Sequence, residues 1–105
     1  MGDLLTMKST NDIYMNYQVM QEKAERLEEL ANELRSVAEK SIGYYGEKRD
    51  SWKGDSADEC RKKVIKLKNN IDRRASELQK AATRLRNTAK RQYELEMRMA
   101  QLFSH

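Results

Sequence analysis

The side chains best able to do chemistry in this chain are one cysteine, Cys60, one histidine at the last position, His105, and 17 carboxylates spread at helix-surface spacing. A catalytic base or a metal site needs imidazole, thiolate or carboxylate groups converging on one point. The only imidazole is terminal, and Cys60 falls on an apolar repeat, where a small buried thiol is expected rather than a nucleophile. A single cysteine also excludes an intramolecular disulfide and any two-cysteine metal or redox motif. With no glycine-rich phosphate loop either, the sequence points to neither an enzyme nor a cofactor. The chemistry on offer is recognition. It sits in a corner, Asp50-Ser51-Trp52-Lys53-Gly54-Asp55-Ser56, which carries the only tryptophan, and in a set of periodic apolar and charged faces.

Those faces require helices. The chain has no proline, 38% apolar and 36% charged residues, a composition suited to solvated helices. Ser9 and Asp12 stand at capping-box spacing, and from there Ile13, Tyr17, Met20, Ala24, Leu27, Ala31, Leu34, Ala38 and Ile42 recur at steps of four and three. That is a heptad seam, and it predicts a helix over residues 11–48. Gly43 and Gly46 weaken its end. Residues 1–10 form an N-terminal arm without a sustained period. After a turn at 49–55, Ser56 and Glu59 offer a second capping box, and a second helix is expected over 56–102. Its seam starts at Ala57, Cys60, Val64, Leu67 and Ile71, continues through Ala75, Leu78, Ala82, Leu85 and Ala89, and reaches Tyr93, Met99 and Phe103, with only Glu96 breaking it.

Two long helices joined by a short turn lie side by side and antiparallel. Facing residues should then have constant summed numbers, and Tyr17 with Leu85, Leu27 with Ala75 and Ala38 with Val64 each add to 102. In that register large side chains face small ones, and Tyr93 to His105 project beyond the first helix. The expected fold is a single all-α domain over 11–105, an antiparallel two-helix hairpin. A hairpin of this size has a small private core, so it should assemble as a dimer into a four-helix bundle, with itself or with a related hairpin. Charge supports selective pairing: residues 1–54 hold 8 basic and 10 acidic side chains, residues 55–105 hold 13 and 7. No apolar run approaches the ~20 residues of a membrane span, so membrane insertion is not expected.

A chain of about a hundred residues folding as helix, Trp-x-Gly corner and helix resembles the WXG family of small type VII secretion substrates, the early secreted antigenic target group. The match is closest from Trp52 through Gly54 to Ala57 and Cys60, where the family enters its second helix with an alanine and a bulky apolar residue. The resemblance implies that Trp52 and Gly54 form a notch read by a partner helix or by the secretion ATPase. It further implies a protein that is cytoplasmic before export, then secreted or on the cell surface without a cleaved leader. Many members or their partners carry a tyrosine followed four residues later by an acid. Here Tyr93 is followed at that spacing by Met97, with Glu96 one residue early, so the export signal is degenerate. That implies export beside a signal-bearing partner, or service as companion or chaperone of a larger LXG-type toxin. The alternative is a basic coiled-coil hairpin that binds nucleic acid through Lys62, Lys63, Lys66, Lys68, Arg73 and Arg74. Nucleic acid is the disfavoured partner, because a single-strand binder interleaves aromatics with its charges and none occurs between Trp52 and Tyr93.

Overall fold

The computed structural model describes residues 9–48 and 55–103, and among these all but Ser9 and Phe103 are helical. Helix α1 runs Thr10–Lys48 and helix α2 runs Asp55–Leu102, 39 and 48 residues long. The chain is all-α, and the contacts between α1 and α2 are those of a helical hairpin.

The start of α1 follows directly from its sequence. The Ser9 carbonyl accepts the first helical bond from the Ile13 amide at 3.0 Å, and its hydroxyl accepts from the Asp12 amide at 3.0 Å. One of the orphan amides of the first turn is thereby satisfied, and the Asp12 carboxylate sits at the positive end of the helix dipole. Helix α2 begins at Asp55, so Ser56 falls inside the first turn rather than at a capping position. At the other end the Phe103 amide donates to the Met99 carbonyl at 3.2 Å, prolonging the helical pattern by one bond.

The core is built almost wholly from alanine. Ala24, Ala31 and Ala38 on α1 and Ala75, Ala82 and Ala89 on α2 are all at most 2% exposed. Each set recurs every seven residues, which lets two helix backbones approach closely while the intervening large residues fill the gaps beside them. Ile13 is buried as well, yet no large side chain among the described residues is fully buried. Of the seam leucines, Leu27, Leu34, Leu78 and Leu85 are only half-buried and Leu67 is exposed.

Two compact units divide the chain, one made of Met1–Arg26 with Ala81–His105, the other of Leu27–Lys80. In the first, the rings of Tyr17 and Tyr93 meet with centroids 4.7 Å apart and planes tilted by 32°, and Arg86 Nη1 donates to Gln21 Oε1 at 3.5 Å. In the second, Arg35 Nη2 donates to Gln79 Oε1 at 2.9 Å and to Ser76 Oγ at 3.5 Å.

These contacts correct the register read from the sequence. Tyr17 meets Tyr93, not Leu85, eight residues further along α2. Arg35, expected opposite Leu67, reaches Ser76 and Gln79. The shift is about one heptad in each unit, and its consequence is that Tyr93 and Glu96 do not project beyond α1: they line a small cleft with Ile13, Tyr17 and Ala89. The error has a clear origin. A seven-residue slip of a heptad pattern returns every alanine opposite a large residue: Met20 lines a cleft with Ala89 instead of facing Ala82. Large-to-small complementarity is blind to such a slip; the aromatic pair and the polar bonds beside the seam are not.

Candidate functional site

The described residues that could recognise a partner fall into an apolar side and a tail. In the unit 27–80, Arg35 and Val37 stand on opposite sides of the line through Ala31, Leu34 and Ala38, as helical spacing requires. Arg35 and its bonds to Ser76 and Gln79 close one side of the helix pair with polar contacts. The other side carries Leu30, Val37 and Tyr44, which recur every seven residues on α1, and Leu67 on α2. Val37, Tyr44 and Leu67 are 55%, 57% and 50% exposed. The unit 1–26 with 81–105 shows the same division: Gln21 and Arg86 join on one side, while Val19, Leu95 and Met99 stay exposed on the other.

Each residue singled out above can now be placed. Ile13 is buried; Tyr17, Met20, Leu27, Leu34 and Ile42 on α1 and Cys60, Val64, Ile71, Leu78 and Leu85 on α2 are half-buried. Leu67 departs from them. It was expected in the seam, and it lines a shallow cleft with Ala38, Ile42, Val64 and Ile71, yet half its surface faces water. Trp52 and Gly54 lie outside the described residues. Tyr93 is half-buried against Tyr17, and the Glu96 carboxylate accepts from Gln92 Nε2 at 2.8 Å. The described part of the tail ends in Leu102 and Phe103, 69% and 71% exposed.

Val19, Val37 and Tyr44 fall outside the seam pattern, on a second apolar line about a third of a turn away. The heptad repeat of Leu30, Val37 and Tyr44 was the signal that could have found it. No polar or charged side chain is buried among the described residues, and no three His, Cys, Asp or Glu residues among them cluster as metal ligands. The arrangement offers surfaces for association.

A family model described as proteins of 100 residues with WXG matches residues 12–96. The chain belongs to the WXG100 family. WXG100 proteins are small helical proteins secreted by type VII systems, and they typically pair with similar helical proteins. The matched span takes in the Trp52-Lys53-Gly54 motif and nearly all of both helices. No curated protein and no solved structure matches the chain. No described helix is long and apolar enough to cross a membrane.

Proposed function

We propose that this WXG100 protein works as half of a four-helix bundle, its apolar side covered by a second hairpin, its own or a related one. The bundle is carried by a type VII system as a folded pair, or the hairpin serves as targeting partner or chaperone of a co-secreted effector such as an LXG-type toxin. The observation that carries this reading is the apolar side: Leu30, Val37 and Leu67 lie on the flank of α1 and α2 opposite the Arg35 bonds, with Val37 and Leu67 half or more exposed. Completing the burial of such half-exposed side chains contributes roughly 1 kcal/mol each, which a partner hairpin can supply.

The tail bears on who provides the export signal. Tyr93 spends its ring on Tyr17 and Glu96 is engaged by Gln92, so the closest approach to a tyrosine–acid signal is absorbed into the hairpin's own contacts. A partner that presents a free signal fits this arrangement, with Trp52 and Gly54 forming the notch that a partner helix or the secretion ATPase reads. The test is to follow the protein in culture medium and cytosol of its native host, with and without a functional type VII motor ATPase. ATPase-dependent appearance in the medium is expected. Retention in the cytosol under both conditions would overturn export and leave the chaperone role.

A further inference from the structure

Helix α2 carries, on the side away from Ala75, a line of cations that hairpin pairing does not use. In the unit 27–80, Lys62, Lys66, Arg73 and Lys80 are all exposed, and their spacings of 4, 7 and 7 residues keep them on one line of the helix, about 27 Å long at a rise of ~1.5 Å per residue. Asn69, also exposed, falls on the same line. None of these four cations has an ion-pair partner among the described residues. Two nearby acids are engaged elsewhere: Asp58 holds Arg61 at 3.4 Å and Glu77 faces Arg74 at 3.8 Å. Lys68, by contrast, lines the cleft with Ala38 and Ile71 and belongs to the seam.

The line also has a sequence echo. The set Lys62, Lys66, Asn69, Arg73 returns 18 residues later as Lys80, Arg84, Asn87, Arg91. Eighteen residues are five whole turns at ~3.6 residues per turn, the spacing at which a helical sequence repeats a face. In the other unit Arg84, Arg91 and Arg98 are likewise exposed.

We propose that the Lys62–Lys66–Asn69–Arg73–Lys80 line binds the phosphodiester backbone of duplex nucleic acid, without regard to base sequence. Lysine and arginine neutralise phosphates, and an asparagine amide between them donates to phosphate oxygens. The line holds no apolar or aromatic side chain, so it has nothing to insert into a bilayer and nothing on which an unpaired base could stack. The lack of aromatics between Trp52 and Tyr93 argues against single strands for the same reason, and leaves duplex phosphates untouched, since they need no stacking. The line is also clear of Leu67 and Val37, so a partner hairpin on that side leaves it accessible.

The test is fluorescence anisotropy of the full chain with a labelled duplex of about 20 base pairs and a single strand of equal length, across a salt series. Duplex binding is expected to weaken about 100-fold between 50 and 200 mM salt, as four phosphate contacts at a slope of roughly −0.9 each require. The triple variant Lys62→Gln/Lys66→Gln/Arg73→Gln should lower that slope by about 3, whereas Lys23→Gln/Lys40→Gln/Lys90→Gln, with the same change in net charge, should leave it intact. All six positions are exposed, so both variants should stay helical by circular dichroism. Absence of duplex binding at the lowest salt, an equal loss in the control variant, an unchanged slope in the triple variant, or tighter binding of the single strand would each overturn the proposal.

Discussion

Tyr93 shows how one side chain can be read correctly in type and wrongly in role. From the sequence it stands on the seam of α2 and opens a degenerate tyrosine–acid signal; in the hairpin its ring lies 4.7 Å from that of Tyr17, a tilted aromatic contact. Such pairs contribute about 0.5–1.5 kcal/mol beyond the area they bury. A double-mutant cycle with Tyr17→Ala and Tyr93→Ala, read by urea unfolding, should therefore give a coupling energy of about that size. Additive losses would mean that the two rings do not share a contact in solution. Ser9 was legible at this scale because capping is local: an oxygen three residues before an orphan amide is visible in the sequence and is used as expected. The Tyr17–Tyr93 pair was not legible, since it depends on which turns of two helices lie abreast, a fact held by no short stretch of either.

At the scale of elements, the two helices were written plainly in the sequence and their register was not. Steps of three and four along Ile13 to Ile42 and Cys60 to Tyr93 leave one periodic reading, helix, and the observed spans Thr10–Lys48 and Asp55–Leu102 follow the pattern closely. Alanines at seven-residue intervals make adjacent registers nearly equal in packing, so the choice falls to side contacts such as Arg35 with Gln79 and Tyr17 with Tyr93. Oxidative cross-linking separates the registers in a Cys60→Ser background at low protein concentration. Tyr17→Cys/Tyr93→Cys should close a bridge within the chain, and Tyr17→Cys/Leu85→Cys should not, because a disulfide tolerates Cα atoms no more than about 7 Å apart. Rapid closure of the second pair and not the first would restore the register in which facing residues add to 102.

At the scale of the whole molecule, the burial pattern argues that the isolated hairpin is an incomplete fold. Among the described residues the buried positions are alanines with Ile13, while Val37, Tyr44 and Leu67 remain half or more exposed. Alanine burial contributes little apolar area, and ordering two helices of 39 and 48 residues costs backbone entropy at every position. The deficit is met if a second hairpin covers the open apolar side, and stability then becomes a function of concentration by mass action. Thermal unfolding followed by circular dichroism should show a midpoint that rises as protein concentration is raised about 100-fold, in parallel with a dimeric mass by sedimentation. Leu67→Asp sharpens the expectation. Half-exposed in the hairpin, this position can hold a carboxylate in contact with water, so the variant should stay helical as a monomer; in the bundle the same carboxylate would be buried without a partner, at a cost of several kcal/mol. Loss of the concentration dependence with helicity retained places Leu67 at the interface between hairpins. A wild-type midpoint independent of concentration, with a monomeric mass, would show that the alanine core suffices by itself and that the apolar side is open in the working protein.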